Sequence, residues 1–116
     1  MSFTNFLETE ILDHVFGGNA YTAPSTHYLA LYTAAPGETG GGTECTGTGY
    51  ARQTVAFTVS GNEATNSAAV EFPTAGSNWG TITHVGVFDA ASSGNLMAYG
   101  TLSASKAVET GDVFRV

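Results

Sequence analysis

Residues 78–100, NWGTITHVGVFDAASSGNLMAYG, decide how the rest of the chain is read. Ile82, Val85, Val87 and Phe88 precede a polar run, and Leu96, Met97 and Tyr99 follow it. That density of apolar residues predicts two strands whose hairpin is buried on both faces. The connector Ala90-Ala91-Ser92-Ser93-Gly94-Asn95 supplies the small and φ-permissive residues of a hairpin loop, so the strands run antiparallel. A hairpin that is apolar on both sides needs cover on both sides, and the remaining segments are read as that cover.

Upstream of it, residues 50–59 alternate, with Gln53, Val55, Phe57 and Val59 on one side and Arg52, Thr54, Ala56 and Thr58 on the other. The pattern predicts a strand with one core face and one solvated face. Ser60-Gly61-Asn62 turns the chain into a strand over 63–72 with Ala68, Val70 and Phe72 inward, a second hairpin that Pro73 ends. Trp79, beside Gly80, is expected to close one end of the core. Residues 26–33 form another strand, with Tyr28, Ala30 and Tyr32 opposite Leu29 and Leu31. Downstream, residues 102–111 are a polar connector to a final strand over 112–116, which pairs internally or with a partner's edge.

Residues 2–16 predict a helix, because Phe3, Phe6, Leu7, Ile11 and Val15, with Leu12 and Phe16 one step round, recur at three-four spacing. Ser2 or Thr4 caps its start, Glu8 and Glu10 lie early in it, and Gly17-Gly18 ends it. Two roles account for so apolar a terminal helix: a lid on the sheet, or a docking element for a neighbouring subunit. Taken together, the pattern predicts a mainly β fold: an antiparallel β-sandwich or jelly-roll-like domain with one N-terminal amphipathic α-helix. One domain spans residues 1–116, with a Gly-rich loop over 34–49.

Charged residues make up only 11% of the chain, against roughly 25% in a typical globular domain. A surface so nearly neutral is poorly protected against association, so much of it is expected to be covered by copies of itself or by a larger assembly, with a symmetric trimer as the expected self-association. The net charge of −7 leaves no basic patch to displace counterions from nucleic acid, and it disfavours anionic membranes too. No apolar run reaches a membrane span, and MSFTNFLETE lacks a basic n-region, so synthesis in a cytoplasm is expected. Cys45 is the sole cysteine and sits in the Gly/Thr-rich loop with no His or Arg close in sequence to acidify it.

Chemistry-bearing motifs are sparse. The run AAPGETGGGTECTGTG has three consecutive glycines but no GK[ST] ending and no following helix, and Glu38 and Glu44 would repel a phosphate. His84 and Asp89 lie five residues apart on one strand and therefore on opposite faces, with His84 expected on the face of Ile82, Gly86 and Phe88 as a partly buried, hydrogen-bonded histidine. Asp89 reads as a turn residue, His27 as a hydrogen-bonded strand residue and His14 as a helix C-terminal residue. The pattern predicts no enzyme and no cofactor. The residues expected at an interaction surface are Phe3, Phe6, Leu7, Ile11, Tyr50 and Trp79.

The order FTNFLETEILDHVFGG, YLALYTAAPGETGGGTE, GYARQTVAF and ATNSAAVEFPTAGSNWGTITHVGVFDAASSGNLMAYGTL resembles small virion proteins of tailed phages labelled tail-fibre-like, and WGTITHVGVFDA and GNLMAYG are the specific phrases. The resemblance covers almost the whole chain and implies a virion component; the chain departs from the pattern at GDVFRV, past which the relatives continue into another strand, so it is either shortened or has its last strand supplied differently. One compact domain without repeats or heptads fits a subunit on a lattice, so a capsid-exterior decoration or cement protein is the first reading. The alternative is a tail-fibre or baseplate module that meets a host-surface glycan through Tyr21, Tyr50, Trp79 and the Gly-rich loop.

Overall fold

The expected hairpin is the centre of the fold. In the computed structural model, which describes residues 1–116, β7 (Gly80–Phe88) and β8 (Leu96–Val108) pair antiparallel around the turn at 89–95. Asp89 closes that turn by accepting hydrogen bonds from the Asn95 backbone N–H at 2.7 Å and the Asn95 amide at 3.1 Å. Ser93 and Gly94 turn it with φ of 54° and 76°. β2 (His27–Ala34) pairs with the other edge of β7, from Tyr28 opposite Phe88 to Tyr32 opposite His84.

Two short strands share the outer edge of β2: β4 (Gln53–Val55) along residues 27–29, and β3 (Thr43–Glu44) near Tyr32 and Ala34. Between them the Tyr50 hydroxyl accepts the Leu31 N–H at 3.1 Å, and the Cys45 N–H donates to the Leu31 carbonyl at 2.7 Å. The gap in the ladder is thus filled by a side chain and a loop amide. The Gly-rich segment is consequently a loop that returns to the sheet as β3.

Both faces of this sheet are apolar. One carries Leu29, Leu31, Val85, Val87 and Ala98, and a shorter second layer covers it. That layer is a ladder in which the Val70 and Val116 N–H groups each donate to the other's carbonyl, Phe72 N–H donates to Phe114 O, and Glu71 bridges Arg115. The final segment therefore pairs internally. Phe114, Phe72, Tyr50 and Trp79 make a continuous aromatic series between the layers, with centroid distances of 6.0, 6.2 and 5.5 Å. The result is a mainly β, antiparallel, sandwich-like arrangement of unequal layers.

The opposite face carries Ala30, Tyr32, Phe88 and Leu96, flanked by Tyr28 and Tyr99. Gly86 lies beneath them, where a Cβ would come within 2.7 Å of Leu96 Cδ1 and 3.0 Å of Tyr32 Cε1. Arg52 roofs the face: its guanidinium lies 3.5 Å from the Phe88 ring centroid, forms a two-bond pair with Glu44 at 2.8 and 2.9 Å, and donates to the carbonyls of Ala90 and Ser93. The Arg52 side chain is 8% exposed.

Several expectations are corrected by the register. Residues 50–59 do not form one strand. The chain leaves the sheet at Ala56, and β5 (Phe57–Ser60) joins β6 (Glu63–Asn66) in a separate two-stranded hairpin. Val59, expected inward, is therefore exposed, as is Ala68. The strand expected over 63–72 breaks after Asn66 and resumes as the ladder at 70–72. An irregularity between Ile82 and His84 puts Ile82 into the core with Val85, not on the face of His84 and Phe88. β8 runs on through the expected connector to Val108, and its register against β7 jumps from Thr101 to Lys106, so residues 102–105 arch out of the ladder. Beyond Tyr99 the outer edge of β8 has no partner strand.

Burial pushes the Glu44 carboxyl toward a higher pKa, but hydrogen bonds from Arg52 and Tyr50 and the Arg52 charge outweigh it and leave the group below its ordinary value. A carboxylate more acidic in the folded than the unfolded chain stabilises fully above its unfolded pKa, and that contribution is lost as pH falls through the folded pKa. Urea melts from pH 7 down to about pH 3 should show an acid-dependent loss that is smaller in Glu44→Gln. Glu44→Ala, which strands the Arg52 charge, should cost about 3–5 kcal/mol at neutral pH.

Candidate interaction surface

Thr4 fixes where the N-terminal segment leaves the sheet. It is buried, its N–H donates to Met97 O at 2.9 Å, and its hydroxyl donates to Leu96 O at 2.6 Å. It is also the N-cap, accepting from the Leu7 N–H at 3.5 Å. The helix therefore begins later than residue 2: β1 (Ser2–Phe3) pairs with Tyr99 and Ala98 of β8, and α1 spans Asn5–Val15. Asn5 N–H donates to Glu38 O at 3.0 Å, which ties the helix start to the Gly-rich loop. At the far end the helix closes on Phe16, and Gly18 departs with φ 76°. The His14 ring accepts the Tyr21 N–H at 3.2 Å.

From this anchor the helix projects rather than lying on the core. Leu7 is its sole buried residue, and Phe6 is half-buried edge-on against Tyr21 at 6.5 Å. The rest of the stripe faces out: Leu12 is 57% exposed, Val15 60% and Phe16 83%, with Phe3 and Ile11 exposed as well. A lid would bury these positions, so the helix leaves most of its apolar surface unused by its own domain.

An apolar cleft of about 580 Å³ adjoins the stripe. Its floor is Val87, Met97 and Ala98 of the sheet, and its walls are Met1, Phe3 and Leu7 on one side and Phe57, Val59 and Ala64 of the β5–β6 hairpin on the other. Leu7 lines the cleft and stands one helical turn before Ile11, so the cleft opens at the base of the stripe.

Of the residues expected at an interaction surface, Phe3, Ile11 and, in part, Phe6 lie here, and Leu7 anchors the helix base. Tyr50 and Trp79 do not. The Trp79 ring is 3% exposed and its Nε1 donates to Thr48 O, while the Tyr50 hydroxyl donates to Glu44 at 2.7 Å and burial raises its pKa. Neither presents a ring face to solvent for a sugar. Sequence reasoning missed Val59 and the cleft because the break at Ala56 has no pattern signal. Leu12, Val15 and Phe16 were legible as a stripe, but their exposure was not.

No three His, Cys, Asp or Glu side chains come together as a metal site. His84 shares a hydrogen bond with Thr83 at 2.8 Å, and Asp89 is spent on its turn. No helix is long and apolar enough to cross a membrane. Cys45 is 2% exposed, and burial together with the Glu44 charge pushes its thiol up to about 11.

Two measurements follow from these placements. Leu7→Ala should destabilise the fold by about 2–5 kcal/mol, whereas Phe16→Asp should change the unfolding free energy by no more than about 0.5 kcal/mol. Cys45 should resist alkylation by iodoacetamide at about pH 8 in the folded chain and react on unfolding in urea.

Residues 2–116 match the family described as Podophage GP4 fiber I protein gp80, which covers the hairpin, the helix and the closing ladder alike. No curated protein matches the chain. The chain belongs to the podophage fibre I protein gp80 family and is a tail-fibre-like component of the virion.

Proposed function

We propose that this protein is a non-enzymatic fibre module of a phage tail, attached to a neighbouring virion protein through the α1 stripe and its adjoining cleft. The carrying observation is the concentration of large exposed apolar residues on one anchored helix, from Ile11 to Phe16. Burying such a patch is the energetic basis of attachment, at roughly 25 cal/mol per Å² removed from water. The fibre family supports the tail position more than the capsid-decoration reading that one compact domain first suggests. Surface burial is the mechanism of this reading, which the fibre family supports, and Asp89, Arg52, Glu44, Arg115 and Glu71 are committed to a turn and two ion pairs.

Localisation on intact particles tests the position. Antibody labelling or a cryo-electron microscopy map should place the chain at the tail, and an even distribution over the head would restore the decoration reading. The attachment surface is tested separately with Leu12→Asp/Phe16→Asp. The folded variant should be recovered on particles at least about tenfold less than wild type, equivalent to some 1.4 kcal/mol of lost docking energy. Undiminished recovery would exclude α1 as the attachment element.

A further inference from the structure

We infer that the partner of the α1 surface is a different polypeptide that presents lysine or arginine side chains within an apolar ridge. The inference rests on α1 being the docking element and adds the chemistry of what docks there.

The charge on the helix carries it. Glu8 lies three, four and seven residues before Ile11, Leu12 and Val15, so its carboxylate emerges within the exposed stripe. Glu10 and Asp13 lie on the opposite side of the same helix, where Asp13 accepts from the Asn19 amide at 2.9 Å. No cation of the chain pairs with Glu8: Arg52 is committed to Glu44, and Arg115 to Glu71. The remaining side-chain cation, Lys106, stands on β8 opposite Ile82 of β7. A partner that covers Ile11, Leu12 and Val15 must also cover Glu8, and a carboxylate buried without a counter-charge is strongly unfavourable.

That condition selects among occupants. A second copy docked through the same face would bring a second Glu8 carboxylate under cover and no cation with it, because a two-fold interface brings one patch onto itself. An anionic lipid surface repels the same carboxylate. A basic apolar ridge instead supplies the missing partner to Glu8 while burying the stripe, and its rim charges accelerate encounter and fix register.

The probes are two labelled amphipathic helical peptides of equal length, one built of leucine and lysine and the other of leucine and glutamate, titrated into the full chain by fluorescence anisotropy. The lysine peptide should bind and the glutamate peptide should not, with weakening as salt is raised. Glu8→Gln should weaken lysine-peptide binding about threefold or more, whereas Glu109→Gln, an equal loss of charge on the far side of β8, should leave it unchanged. Equal loss in both variants, or no binding of the lysine peptide, overturns the inference. Binding of both peptides, abolished by Leu12→Asp/Phe16→Asp, overturns the basic partner while leaving the docking element intact. Binding that survives Leu12→Asp/Phe16→Asp refutes docking at α1 itself. Light scattering that shows a dimer of the free chain, lost in the same variant, makes the occupant a second copy and likewise overturns the inference.

Discussion

One guanidinium holds together segments that the chain keeps far apart. Arg52 reaches Glu44 at the end of the Gly-rich segment, the carbonyls of Ala90 and Ser93 in the central turn, and the ring of Phe88 beneath. A lysine could supply the charge but not the planar fork, which satisfies four acceptor contacts and stacks on an aromatic face at once. Because the face it covers has no second sheet above it, this roof of one side chain substitutes for a layer. Tyr50 extends the same network to the backbone of β2, and its burial beside Glu44 keeps the phenol protonated.

The two faces of the sheet are therefore closed by different physics. Between the layers, an aromatic series from Phe114 to Trp79 fills space with directional contacts, and the short ladder at 70–72 and 114–116 holds it in place. On the other face, hydrogen bonds to a charged group do the closing, and Gly86 lets the rings of Tyr32 and Phe88 come down onto the backbone. Burial also raises the Tyr32 phenol to about 12. The N-terminal segment belongs to neither closure. Thr4 pins its base, and the turns beyond remain free to meet another surface.

Much of this was legible in order and type. The β7–β8 hairpin, the β5–β6 hairpin with its Ser60-Gly61-Asn62 turn, the helix and the role of Trp79 as a core plug all follow from local pattern. What local pattern misses is where pairing partners change. Gln53, Val55, Phe57 and Val59 alternate without interruption, yet β4 belongs to β2 and β5 to β6, so the last of these valines faces water. Ile82 changes face because the ladder slips beside it, and slippage is a property of two strands together. The interaction surface was half legible for a similar reason. Spacing identifies an apolar stripe, but only the anchoring of Thr4 to Leu96 and Met97 determines that the stripe points away from the core.

The arch in β8 bears on what happens when copies are crowded. A long outer strand with free N–H and C=O groups is a template for adding strands from other molecules. Here residues 102–105 leave the plane of the ladder, and Lys106 follows immediately, so a neighbouring chain that began to zip along this edge would lose register and meet a charge. Molecules packed side by side on a virus would thus remain countable units, joined only where a dedicated face invites it, instead of fusing into an endless ribbon.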